Sequence, residues 1–118
     1  MVENGLKKGM KQFILSGKFN EKNKFFIAAT ENYFKVILHA IDFYIYKIIK
    51  KLPDNHTERF AILKDLDDSL YKLIGELFKI YRKSYREDIS KEEFERIKNG
   101  LEKTLKITEL EEEFKKYL

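Results

Sequence analysis

Four cations and two tyrosines fall within the eight residues from Lys79 to Arg86, in the stretch KIYRKSYREDIS. At helical spacing Lys79, Arg82 and Arg86 share one side with Lys83 beside them, and Tyr81 and Tyr85 sit one turn apart. A guanidinium offers a planar fork that meets phosphate bidentately, and a neighbouring tyrosine offers a face for a nucleobase. The stretch also has a plain structural use. Cations in a last helical turn oppose the negative end of the helix dipole and can bond its unpaired carbonyls. That use does not explain two arginines where lysine would serve equally well.

A second line of polar residues runs through the most apolar part of the chain. Glu31, Lys35, His39, Asp42 and Tyr46 step by four, four, three and four. This is the solvated edge of a mostly buried helix, with Glu31 paired to Lys35, or a polar line facing a groove or second subunit, with His39 titratable. His39 and His56 are the only histidines. They lie far apart in sequence, so a histidine metal site would have to borrow carboxylates, and no metal or cofactor is expected. There is no glycine-rich phosphate loop, no HExxH and no GxSxG. The absence of Cys removes disulfides, thiolate ligands and a thiol nucleophile.

Helices must position these groups. The single Pro and five Gly disfavour a fold of many tight turns. The periodicity predicts a short amphipathic helix over 5–16, with Leu6, Met10, Phe13 and Ile14 on one side, broken by Gly17 and Asn20 in SGKFNEKN. A long helix over about 22–51, apolar around most of its circumference, reads as the centre of a bundle. LPDNHTE ends it, and Asn55 with Glu58 resembles a capping box. A third helical region covers 56–86 with a bend near DLDDS (65–69). Ser90 with Glu93 is a capping box opening a last helix over 91–106, and the tail 108–118 extends that helix or frays. The fold class is therefore all-α, a bundle of four to five helices in one domain with its core in about 10–107.

With 118 residues, the chain suits one domain with a real core. Lys and Glu dominate its charges, a bias shared with thermophile proteins. The net charge of +4 is uneven: through Leu52 there are ten Lys/Arg against four Asp/Glu. Acidic runs such as KDLDD and ELEEE read as solvated faces. The N-terminal stretch lacks a long apolar segment, so no signal peptide is expected. Six polar or charged side chains interrupt Phe25 to Ile49, so no bilayer crossing or membrane partner is expected, and a cytoplasmic location follows as an expectation.

In order and spacing, these residues resemble the HEPN-domain family (higher eukaryotes and prokaryotes nucleotide-binding). The matching pieces are Tyr33 and Phe34, His39 and Ala40, the loop residue His56, Arg82 with Tyr85, and Ser90 to Glu93, spread over about 10–107. The resemblance implies a small up-and-down helical bundle, a homodimer, and an RNA or nucleotide ligand. It also implies a small nucleotidyltransferase as partner in a toxin–antitoxin-like pair. Lys79, Arg82, Lys83, Tyr85 and Arg86 are then the candidate phosphate-binding residues, and Tyr33, His39, Asp42 and His56 the candidate groove-lining ones. The family's ribonucleases carry an arginine and a histidine with four to six residues between them. Here those positions hold Glu87, Asp88 and Ile89 after Arg82, and Lys91, Glu92 and Glu93 after Arg86. Without that imidazole the general acid/base of metal-independent RNA cleavage is missing, so the expectation is a non-catalytic binding module. Two alternatives stand beside it. One is a ribonuclease with an unorthodox set drawn from Arg82, Tyr85, Arg86, Asp88 and the histidines. The other is a helical interaction domain with no nucleic-acid role.

Overall fold

The computed structural model describes residues 1–118. It contains helices and no strand: α1 (Val2–Lys22), α2 (Phe26–Ile49), α3 (His56–Leu66), α4 (Asp68–Lys83), α5 (Lys91–Ile107), the four-residue α6 (Glu111–Phe114) and a closing 3-10 turn, Lys115–Tyr117. No helix is long and apolar enough to cross a membrane.

Direction follows from which residues meet. Asn20 bonds Asn32, Tyr33 bonds Glu21, and Phe13 packs edge-on against His39, so α1 and α2 run antiparallel over their whole length. Phe34 stacks on Tyr81, while Tyr44 reaches Asp67, which sets α4 antiparallel to α2. Lys83 bonds Glu93, and Leu77 packs on Gly100, which sets α5 antiparallel to α4. Thus α1, α2, α4 and α5 alternate in direction, and α3 leans on this group through Phe60, which packs on Tyr71 and Phe78. Nine residues of α2 are buried, from Ala29 to Ile45, which makes it the central helix expected from its apolar circumference. With Met10, Ile14, Leu63, Leu70, Ile74, Phe94 and Leu101 it forms one continuous core.

Four sequence expectations are revised. The predicted break over 16–23 is absent, and α1 runs on to Lys22. Gly17 is not a helix breaker here. A Cβ on it would stand 2.5 Å from the Tyr33 ring, so glycine lets two helices approach closely. Asn20, the other supposed breaker, spends its side chain on Asn32. The region 56–86 is two helices, not one bent helix. Asp67 is extended (φ −156°) and caps α4 by accepting from the Leu70 amide, which ends α3 at Leu66. The Asn55–Glu58 box is half formed: Asn55 accepts from the Glu58 amide, but the Glu58 carboxylate pairs with Lys51. The Ser90–Glu93 box is complete in both directions. Finally, the tail neither extends α5 nor frays. Glu109 takes a left-handed φ of 63°, which turns the chain and buries Leu110 and Phe114 in the core.

Candidate anion-binding cleft

The last turn of α4 and the turn after it form one wall of an open cleft of about 600 Å³. Lys79, Arg82, Lys83, Tyr85 and Arg86 line it, and so does His56 from the start of α3. The sequence separates His56 from Arg82 by a whole helix; the fold of α3 back along α4 brings them to one place. Phe78 is the joint. Its ring lies 5.1 Å from the His56 ring centroid, and the Arg82 guanidinium carbon lies 5.4 Å from its own centroid. A guanidinium over an aromatic face is held by the ring quadrupole, which fixes Arg82 without neutralising it.

The four cations are not equivalent. Lys83 is occupied: its Nζ donates to both carboxylate oxygens of Glu93 at 2.8 Å and ties α4 to the start of α5. That bond holds the Lys83 ammonium above its usual pKa and the Glu93 carboxyl below its own. Lys79, Arg82 and Arg86 make no ion pair and no side-chain hydrogen bond. In particular they do not cap helix carbonyls. The final carbonyls of α4 are taken by backbone amides instead: Ser84 to Ile80, Tyr85 to Arg82, and Arg86 and Glu87 to Lys83. The helix dipole still favours cations here, but the carbonyls need nothing from them.

Two tyrosines close the cleft. Tyr81 is buried and stacks on Phe34 with ring centroids 4.4 Å apart, and its hydroxyl lies 2.6 Å from that of Tyr85. Burial above all, then the bond to Tyr85 and the nearby Glu31 charge, pushes the Tyr81 phenol well above its ordinary pKa. It stays neutral and able to donate. Tyr85 is 63% exposed and presents its ring at the lip.

His56 is held from behind. Arg59 donates through Nη1 to His56 Nδ1 at 3.0 Å, and through Nε and Nη2 to the two oxygens of Asp42 at 2.7 and 3.0 Å. An arginine has no acceptor, so His56 Nδ1 must carry the lone pair and Nε2 the proton. Burial, then the Arg59 charge, lowers the His56 pKa, partly offset by Asp42. At neutral pH His56 is therefore an uncharged imidazole whose remaining polar group is an Nε2–H donor. A ring in this state can hydrogen-bond an anion; its Nε2 cannot take up a proton.

The proposed groove-lining set divides. His56 lines the cleft, and Asp42 stands behind it through Arg59. Tyr33 is buried against Phe94 and donates to Glu21 between α1, α2 and α5. His39 lies against Phe13 and Gly9 of α1, with Nδ1 2.8 Å from the Lys35 carbonyl. The stripe on α2 is not one solvated edge. Lys35 sits over the Phe13 ring and not on Glu31, and Asp42 is largely covered by Arg59. Sequence reasoning missed Arg59, which organises both Asp42 and His56. Its place three residues after His56 put it on the same side of α3, but nothing local pointed to Asp42. No three His, Cys, Asp or Glu side chains cluster closely enough to hold a metal ion. No protein-family model, no curated protein and no solved structure matches this chain.

Proposed function

We propose that this protein is a non-catalytic, HEPN-like binding module whose cleft takes the phosphate groups of single-stranded RNA or of a nucleotide. One observation carries it: Lys79, Arg82 and Arg86, free of acidic partners, face the same cleft as a neutral His56 with a fixed N–H and an exposed Tyr85. Charge-assisted, forked contacts from the arginines supply strength, and the Tyr85 face supplies a stacking surface for a base. The fixed tautomer of His56 favours binding over cleavage, because a general base needs the lone pair that Arg59 already occupies.

The homodimer and the nucleotidyltransferase partner extend this proposal and rest on the family resemblance. In the HEPN arrangement the corresponding segments of two subunits approach each other, which doubles the charge across one cleft. Light scattering at micromolar concentration tests the dimer.

The cleft itself is tested by the anisotropy of labelled poly-uridine across a salt series. Two or three neutralised phosphates give a log–log slope of about −1.5 to −2 for a single strand. Arg82→Ala with Arg86→Ala weakens binding and flattens the slope, whereas the two Arg→Lys changes restore slope but not full affinity. Salt-insensitive binding, or a double variant that binds like the parent, overturns the proposal. Cleavage of mixed RNA that disappears in Arg82→Ala and His56→Ala establishes the enzyme alternative.

A further inference from the structure

The basic excess of the first 52 residues is not used by the cleft, and the structure shows where much of it goes. At 100° per residue, Lys8, Lys11, Leu15, Lys18, Phe19 and Lys22 of α1 fall within one face about 100° wide. All six are exposed, while Met10, Ile14 and Gly17 occupy the buried side. Leu15 and Phe19 are 48% and 65% exposed, although both are large and apolar. Just beyond the helix, Lys24 takes a left-handed turn (φ 60°) and leaves Phe25 57% exposed. The face shares no residue with the cleft.

Its lysines are not spent within the molecule. The acids of α1, Glu3 and Glu21, lie off this face, toward the side of Met10 and Ile14. Glu21 borders Lys18 and Lys22 but is taken by Lys98 and the Tyr33 hydroxyl. The nearest carboxylates of the C-terminal turn are also engaged, Glu113 by Lys7 and Glu112 by Lys115. Lys11 instead lies 5.4 Å from the ring centroid of Tyr117, with Lys116 on the same ring.

We propose that this face of α1 docks on an anionic membrane surface, with Leu15, Phe19 and Phe25 entering the headgroup region and the lysines meeting lipid phosphates and carboxylates. An occupant must be anionic and must also accept protruding apolar side chains. A bilayer interface rich in acidic lipid does both, and lysines around apolar anchors are the pattern of a helix lying in that plane. A second copy does not fit, because a two-fold contact through this face would set its lysines against the same lysines. A nucleic-acid strand would use the charges and leave Leu15 without a role. The attachment is peripheral: it agrees with the lack of any helix that could cross a bilayer, and it departs from the expectation of no membrane partner, which rested on the absence of a crossing segment.

The test is co-sedimentation of the full chain with vesicles of phosphatidylcholine alone and of phosphatidylcholine with phosphatidylserine. The parent is expected to sediment with the second kind and not the first, and to release as salt rises. Leu15→Ser with Phe19→Ser should lower partitioning about tenfold or more, and Lys11→Gln, Lys18→Gln and Lys22→Gln together should lower it comparably. Both variants alter exposed positions, and unchanged helical circular dichroism confirms that they fold. The apolar variant should retain the parent's poly-uridine binding, which separates this surface from the cleft. The proposal is overturned if the parent ignores acidic vesicles, binds neutral ones equally well, or is unaffected by the apolar variant. It is also overturned if that variant abolishes a solution dimer, making the occupant a second copy, or abolishes RNA binding, making it a nucleic acid.

Discussion

Replacing Arg59 by Ala tests the support behind the cleft most directly. Arg59 and Asp42 are 11% and 15% exposed at their side chains, and two hydrogen bonds of 2.7 and 3.0 Å join them. Removing one partner of such a covered pair leaves the other charge without compensation, which costs about 3–5 kcal/mol. Residual exposure lets water reach Asp42, so the low end applies, about 3 kcal/mol. Against a total stability on the order of 5–15 kcal/mol, that lowers Tm by about 10 °C in a domain of this size. Urea denaturation followed by circular dichroism measures the loss, with an unchanged slope expected if only stability is altered. Asp42→Ala should be rescued in part by adding Arg59→Ala, with a coupling of at least about 1 kcal/mol. The same substitution removes the donor at His56 Nδ1, so nitrogen NMR should show a mixture of tautomers in place of the single Nε2–H form. A loss under about 1 kcal/mol, or strictly additive single changes, would refute the claim that this pair is a coupled, desolvated unit.

Two further outcomes follow from the same structure. His56 has a folded pKa below its unfolded value, so the unfolded chain binds the proton more readily. Its contribution is therefore complete above about pH 6.5 and is lost as pH falls through that unfolded value toward the folded one. Urea midpoints at about pH 7.5 and 5.5 should show a drop in the parent that is smaller in His56→Gln; equal drops would assign the effect elsewhere. The glycines of the helices should respond in opposite directions. Gly17→Ala meets the Tyr33 ring and should destabilise by about 1–3 kcal/mol, whereas Gly75→Ala meets nothing within 4 Å and should stabilise by up to about 1 kcal/mol. Thermal melts that rank the two alike would contradict the packing of α1 on α2.

Much of this protein was determined locally, by side chains three and four residues apart. The apolar circumference of Ala29 to Ile45 marks the central helix, the Ser90–Glu93 box opens α5, and Asn55 caps α3. Each depends on chemistry within one or two turns, which a sequence displays directly. The clustering of Lys79, Arg82, Tyr85 and Arg86 on one wall was legible for the same reason. What the tertiary structure alone decided depends on the register of one helix against another. Gly17 looks like a helix break until Tyr33 is found against it, and only then is α1 seen to continue to Lys22. Phe114 looks like part of a fraying tail until the turn at Glu109 folds it into the core. Lys83 looks like a fourth free cation until α5 places Glu93 beside it. Asp42, His56 and Arg82 belong to three different helices, and only the packing of α3 against both of the others lets Arg59 and Phe78 join them. Periodicity says which side of a helix is buried, but not which residue of a neighbouring helix lies opposite, because many registers bury the same apolar face. The specific contacts that select one register are made between residues far apart in the chain.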